Sequence, residues 1–154
     1  MNYVMLLALG IGFVAGLRSL TAPAFVAWAA HLQALNLRGS PLAWMGSPIA
    51  VGIFTLLAIL ELISDVLPKT PPRTAPLGLI ARIIMGGLCG ACIYAAGAAV
   101  PITGAVVGIV GALIGTYGGY YARRWLGSRL GVKDVLIAIP EDILAFVLAW
   151  CVVR

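Results

Sequence analysis

Two long stretches without any charged residue constrain the fold of this chain more than any other feature. Residues 39–60 form a charge-free run of 22 residues, and residues 83–122 form one of 40. A helix needs about 20 apolar residues to cross a bilayer, so the first run predicts one transmembrane helix and the second predicts two. Only 10% of the residues are charged, whereas soluble domains carry about 25%. We therefore expect an all-α, polytopic integral membrane protein with a single transmembrane domain over residues 1–154.

Five membrane spans are predicted from the apolar segments and the breaks between them. A turn fits at 97–104, where Pro101 and the flanking glycines interrupt the pattern without a charge. The first segment is longer than one upright crossing requires and contains Arg18 and Pro23, so a tilt, a kink or a partial break is expected. The predicted spans are about 3–30, 42–66, 79–98, 103–123 and 134–153.

A glycine stripe marks the fourth predicted span. Glycines recur there at spacings of four and three, so one face of the helix has no side chains and its backbone can contact a neighbour. Backbone that lines a narrow pathway is the functional alternative. Because five thin helices offer little interior, a homodimer through this stripe is also expected. The stripe consists of Gly104, Gly108, Gly111, Gly115 and Gly118.

A faint internal repeat relates the first and fourth spans. Residues 11–18 resemble residues 114–121, with both glycines in register and Arg18 opposite Tyr121. In the predicted topology these two spans run in opposite directions. The repeat would then be an inverted pair, an arrangement that many transporters have.

The distribution of bases predicts the orientation. Five spans put the N-terminus, the 67–78 loop and the 123–133 loop on one side of the membrane. That side carries Lys69, Arg73, Arg82, Arg123, Arg124, Arg129 and Lys133, and the other side only Arg38 and Arg154. Cytoplasmic loops carry an excess of Lys and Arg, which places the N-terminus in the cytoplasm and the C-terminus outside. The net charge of +5 follows this topology, so the expected partner is the lipid bilayer and not nucleic acid.

Residues 61–82 hold the predicted functional centre. Glu61 and Asp65 are four residues apart and share one helix face, and several prolines after them force a loop that carries Lys69 and Arg73. Glu141 and Asp142 begin the last span at the same predicted face. Ionisable groups in membrane helices are costly and normally face the interior or a watered cavity. The candidate binding or pathway residues are Arg18, Glu61, Asp65, Lys69, Arg73, Arg82, Tyr120, Arg123, Glu141 and Asp142, and no catalytic residue is singled out.

The four acids and Arg18 each allow two interpretations. Glu61, Asp65, Glu141 and Asp142 have oxygen ligands that suit Mg²⁺ or Mn²⁺, with an arginine holding a phosphate beside the metal, but they equally suit structural ion pairs. Arg18 lies deep in the first predicted span and cannot face lipid. It either pairs with an interior acid or lines a cavity beside a broken helix.

Several short motifs lie at Gly16–Pro23, Glu61–Asp65, Pro72–Pro76, Ala81–Arg82, Gly118–Arg124 and Glu141–Asp142. Together they resemble the bacterial family catalogued as domain of unknown function 4126. The resemblance covers nearly the whole chain and implies a small polytopic protein of the bacterial inner membrane. It implies no established activity, and Val66 stands where the family often has Lys.

Three hypotheses for the function therefore stay open. The first is a transporter, channel or flippase for a small anionic or phosphorylated solute, because Arg18 lies in the membrane. The second is an enzyme that needs a divalent metal and acts on a lipid phosphate, because four acids lie at one face. The third is a structural or assembly protein whose glycine faces bind partner helices.

Overall fold

The computed structural model describes residues 2–66, 76–130 and 134–153, and its regular structure over these ranges is helical. The all-α prediction is confirmed. A short 3-10 helix, Ala43–Gly46, precedes the third of six α-helices in this part of the chain. These are α1 (Asn2–Leu17), α2 (Thr21–His31), α3 (Pro48–Val66), α4 (Pro76–Ala96), α5 (Pro101–Leu130) and α6 (Asp134–Val153).

Prolines fix where three of these helices begin. Pro48, Pro76 and Pro101 each occupy the first position of a helix, where the missing N–H has no intrahelical partner to lose. Ser47 caps α3, because its Oγ accepts a hydrogen bond of 3.1 Å from the Ala50 N–H.

The segment predicted as one span at 3–30 is two helices. The Arg18 N–H still donates to the Val14 carbonyl at 2.8 Å, but the helix then stops and α2 starts at Thr21. The expected break is therefore confirmed. Pro23 lies just beyond it, in the first turn of α2, where a proline is tolerated. We call residues Arg18, Ser19 and Leu20 the hairpin tip, because the chain reverses there.

Contacts with α3 show the reversal. Glu61, near the end of α3, contacts the hairpin tip, whereas the Trp28 indole N–H donates to Thr55 Oγ1 at 3.0 Å, further back along α3. Farther still, His31 Nδ1–H donates to the Gly46 carbonyl at 3.0 Å. Helix α2 therefore runs antiparallel to α3 and leads away from the hairpin tip.

Contacts with α6 give the same result. Gly10 faces Val152 while Arg18 pairs with Asp142, so α1 runs antiparallel to α6. On α2, the ring of Phe25 packs edge-on against Phe146 at 5.5 Å between centroids, further along α6 than Asp142. Helix α2 therefore runs parallel to α6 and antiparallel to α1, and the two helices form a hairpin.

Helix α5 packs directly on α1 through glycines. A Cβ added at Gly12 would collide with the Gly108 carbonyl oxygen, and one at Gly16 would collide with the Ala112 carbonyl oxygen. Since both contacts advance in the same sense along the chain, α1 and α5 are parallel. The predicted inverted pairing of these two segments is therefore wrong.

The other side of α5 packs against α4 in the antiparallel sense. A Cβ at Gly108 would meet the Gly86 carbonyl oxygen, and one at Gly90 would meet that of Gly104. Gly111 and Gly115 approach the backbone of α1 in the same way. The homodimer through this stripe stays a prediction, and these contacts within one chain count against it.

The N-terminal end of α1 lies beside the α4–α5 turn. Gly97 in that turn is within van der Waals reach of Val4. The start of α1 therefore lies at the opposite end of the bundle from the C-terminal ends of α3 and α5, whereas the five-span topology had placed the N-terminus at that end. That prediction is wrong because the first segment is a hairpin of two helices, and the hairpin adds one reversal of the chain direction. The N-terminus of α1 and the C-terminus of α6 consequently point to the same end of the bundle.

Within the described ranges, two helical segments are long and apolar enough to cross a membrane. They are Pro76–Ala96 and Pro101–Leu126. Shorter apolar segments occupy Tyr3–Leu17, Pro48–Ser64 and Asp142–Val153. By length and composition, these helices indicate association with a membrane.

Candidate functional site

A buried ion pair joins the hairpin tip to α6. The Arg18 side chain is only 2% exposed, and its Nε and Nη2 atoms both lie 2.6 Å from Asp142 Oδ1. Asp142 is 23% exposed. These are charge-assisted hydrogen bonds, which are shorter and stronger than neutral ones. The sequence left open whether Arg18 pairs with an interior acid, and it does pair with one.

A carboxylate from α3 holds the other side of the hairpin tip. Glu61 Oε1 accepts hydrogen bonds from the Ser19 N–H at 2.7 Å and from the Ser19 hydroxyl at 2.6 Å. Glu61 Oε2 accepts one from the Leu20 N–H at 2.9 Å. Leu20 is the N-cap residue of α2 and has no side-chain cap of its own. Glu61 therefore caps α2 from another helix and places a negative charge at the positive end of its dipole.

A hydroxyl from α5 completes the polar contacts around the break. Thr116 Oγ1 lies 3.2 Å from the Gly16 carbonyl oxygen and 2.8 Å from the Ala112 carbonyl oxygen, so it shares one proton between them. Thr116 is fully buried. Gly16 belongs to the last turn of α1, whose carbonyls have no partner within the helix. Both ends of the broken helix thus find partners on other helices.

The hairpin tip lies inside the bundle, near the end to which Arg82, Arg123 and Arg124 belong. Asp142 is eight residues from the start of α6, about 12 Å along the helix axis. Glu61 is five residues from the end of α3, about 7 Å along its axis. Pro140, inside α6, cannot donate a backbone hydrogen bond just before Asp142. The site therefore lies one to two helical turns below this end of the bundle.

The remaining candidate residues are three half-buried side chains on α4 and α5 and a group that lies outside the described part. Arg82 on α4 and Arg123 on α5 are half-buried, and the half-buried Tyr120 packs edge-on against Tyr121 at 5.5 Å between ring centroids. Lys69, Arg73 and the side chains of Asp65 and Glu141 lie outside the described residues. Of the predicted set, Arg18, Glu61 and Asp142 are brought together at one place.

The described acids do not fit a site for Mg²⁺ or Mn²⁺. Among the described side chains, no three His, Cys, Asp or Glu groups lie close enough together to hold a metal. Both oxygens of Glu61 accept hydrogen bonds from the hairpin tip, and Asp142 is engaged by Arg18. A divalent cation would have to displace these donors, including a guanidinium of the same charge sign. The prediction also includes the two acids whose side chains lie outside the described residues, and it stays a prediction.

Sequence reasoning missed three residues of the site, namely Ser19, Leu20 and Thr116. Leu20 acts through its backbone N–H group and Ser19 partly so, beside its hydroxyl, and no side-chain pattern reveals a backbone donor. One signal was present: Ser19 and Thr21 before Pro23 are typical of a helix start, although they stand inside an apolar segment.

Taken together, the fold and the site define a helical-bundle protein with an internal ionic centre, built where a hairpin tip meets two carboxylates from other helices. The chain belongs to the family described as Domain of unknown function (DUF4126), which matches residues 5–154. No curated protein and no solved structure matches the chain.

Proposed function

We propose that the protein is a transporter, channel or flippase of the bacterial inner membrane that handles a small anionic or phosphorylated solute at the hairpin tip. The observation that carries the proposal is the pairing of two anion-binding elements at one buried place. One is the Arg18 guanidinium, and the other is the pair of N–H groups at the start of α2.

Both elements bind anions for known physical reasons. A guanidinium presents several N–H donors in a plane that matches carboxylate and phosphate oxygens. The start of a helix presents unpaired N–H groups and the positive end of the dipole, and interrupted helices in transporters use it to bind the anionic groups of substrates. At the hairpin tip these elements are one or two residues apart.

Each element currently holds one of the protein's own carboxylates. Asp142 occupies the guanidinium of Arg18, and Glu61 occupies the N–H groups of Ser19 and Leu20. An entering anion competes with these carboxylates for the same donors. When the entering anion replaces the protein's carboxylates at these donors, the contacts of α3 and α6 with the hairpin tip open, and they close again when the carboxylates return. This is the two-state change that transport requires.

The proposed orientation rests on the rule that cytoplasmic loops carry an excess of Lys and Arg, applied to the helix directions of the structure. Arg82, Arg123 and Arg124 lie towards the bundle end where α3 and α5 finish and α4 and α6 begin, whereas Arg38 lies at the opposite end. In the sequence, Lys69, Arg73 and Lys133 stand between these helices. We therefore place the basic end in the cytoplasm, with a multi-pass bundle and both termini outside.

Cysteine labelling tests this orientation. In a variant whose native cysteines are replaced by serine, a cysteine at Asn2 should react with a membrane-impermeant maleimide added to intact spheroplasts, because the start of α1 faces outward. A cysteine at Lys133 should react only after the membrane is permeabilised. Labelling of Asn2 that also requires permeabilisation would refute the proposed topology.

Transport is tested with the purified protein in liposomes. Inorganic phosphate and glycerol 3-phosphate serve as radiolabelled probes. Arg18→Lys retains the charge but loses the planar donors, so we expect at least about a tenfold lower flux with the protein still folded. Glu61→Gln should also lower the flux. The N–H₂ group of glutamine is itself a donor, so it cannot accept the hydrogen bond from the backbone N–H group that it would face.

The matched control is Arg38→Lys, the same substitution at an exposed position far from the hairpin tip, which should leave the flux unchanged. Equal flux in Arg18→Lys and Arg38→Lys would remove the hairpin tip from the pathway. If the unaltered protein moves neither probe above the level of empty liposomes, the proposed substrate class is wrong.

A further inference from the structure

An apolar groove runs between α2, α3 and α6, on the outer side of the hairpin. Its volume is about 560 Å³, and the lining is almost entirely hydrophobic. The residues that define it here are Thr21, Phe25, Trp28, Ala58, Phe146 and Trp150. We propose that this groove binds one acyl chain of a membrane phospholipid, with the ester carbonyl of the lipid at Thr21. The proposal does not depend on which solute is handled at the hairpin tip.

The polar end of the groove is marked by an unsatisfied hydroxyl. Thr21 is 1% exposed, and its Oγ1 has no hydrogen-bond partner among the described residues. Leaving a buried hydroxyl without a partner costs about 1–3 kcal/mol, so such groups in native proteins call for an explanation. A lipid ester carbonyl is an acceptor that carries an apolar chain, and it matches both the hydroxyl and the groove beyond it.

The length of the groove fits one leaflet of a bilayer. The lining extends along α2 from Thr21 to Leu32, which corresponds to about 16 Å of helix. The hydrocarbon core of a bilayer is about 30 Å thick, so one leaflet is about 15 Å deep. A single acyl chain, extended from Thr21 towards the opposite end of the bundle, fills this length.

The charge of the protein agrees with the direction of this chain. Thr21 lies at the end of the groove next to the hairpin tip, and the basic end of the bundle lies beyond it. Arg123 and Arg124 belong to that end. A phospholipid whose ester is held at Thr21 would direct its headgroup towards this basic end of the bundle, which favours an anionic headgroup.

Fluorescence quenching tests the proposal, because two of the four tryptophans line the groove. In a Trp44→Phe/Trp125→Phe background, the emission comes from Trp28 and Trp150. The probe is phosphatidylglycerol with one dibrominated acyl chain, titrated into the full-length protein in detergent. We expect saturable quenching that unbrominated phosphatidylglycerol reverses.

Two variants and one control decide whether the quenching comes from the groove. Ala58→Phe fills the groove and should abolish the saturable phase. Ala122→Phe, the same change at an exposed position of α5, should leave it intact. Thr21→Val removes only the unpaired hydroxyl, so the protein should stay folded while the lipid binds about two- to tenfold more weakly.

Several results would overturn the proposal. Quenching that rises in proportion to the lipid-to-detergent ratio, without saturation, would indicate only the lipids that surround any membrane protein. Equal quenching in Ala58→Phe and Ala122→Phe would lead to the same conclusion. If Ala58→Phe does not fold, lipid binding by Thr21→Val that is as strong as in the unaltered protein would overturn the proposal instead. A dimer detected by light scattering and abolished by Ala58→Phe would assign the groove to a second copy of the chain instead.

Discussion

Replacing Arg18 by methionine is expected to destabilise the protein by about 3 kcal/mol, near the lower end of the range for breaking a buried ion pair. Methionine keeps the length and apolar stem of the side chain but leaves the Asp142 carboxylate without the guanidinium that lies 2.6 Å from it. Asp142 is partly exposed, so water compensates some of the loss. The free energy of unfolding, measured by titration from mild detergent into denaturing detergent, gives the size of the effect.

A double-mutant cycle separates this pair from the rest of the site. Arg18→Met/Asp142→Leu removes both charges, so it should recover most of the stability that Arg18→Met loses. Arg38→Met is the matched control, because this arginine is exposed and its loss should cost little. Strictly additive effects of the two single changes would show that the contact between Arg18 and Asp142 contributes nothing to stability.

Gly108→Ala should prevent the accumulation of folded protein. The new methyl group would overlap the Gly86 carbonyl oxygen of α4, and its neighbours within 3.1 Å also include a backbone atom of Gly90. Backbone atoms of a packed helix cannot move aside as the end of a flexible side chain can, so α4 and α5 would have to separate. The yield of monodisperse protein after extraction, with its unfolding temperature, measures the effect.

Gly118→Ala provides the control on the same helix. No atom lies within 4 Å of a Cβ added at Gly118. Since alanine is a better helix former than glycine, this change should be neutral or should stabilise the protein by up to about 1 kcal/mol. Wild-type stability in both variants would show that the close approach of α4 and α5 is not required for folding.

The two predictions differ in how much the sequence alone could support them. The regular spacing of glycines in α5 predicted a face without side chains, but spacing on one helix cannot say which helices it meets. The structure places α1 on one part of that face and α4 on another, and the order of the contacts fixes their directions. The helix directions depend on packing between segments that are distant in the sequence. The predicted inverted pair therefore could not be tested from the sequence alone.

The candidate site was located only in part by sequence reasoning. Arg18, Glu61 and Asp142 stood out because charges are expensive inside an apolar chain. The reversal at the hairpin tip did not stand out, because the residues after Arg18 stay mostly apolar and continue the hydrophobic run. Counting that run as one span then placed the N-terminus at the end of the bundle where α3 and α5 finish, whereas the start of α1 lies at the other end.

The uneven packing of the helices has a consequence for how the bundle can change shape. Helix α5 meets α1 and α4 backbone to backbone, so sliding either helix along α5 would drive carbonyl groups into the neighbouring backbone. Helix α3 packs chiefly against α2 and the 3-10 helix. A change of shape therefore disturbs the packing least where α3 meets its neighbours. Any movement of α3 away from the hairpin tip would break the three hydrogen bonds that Glu61 accepts there.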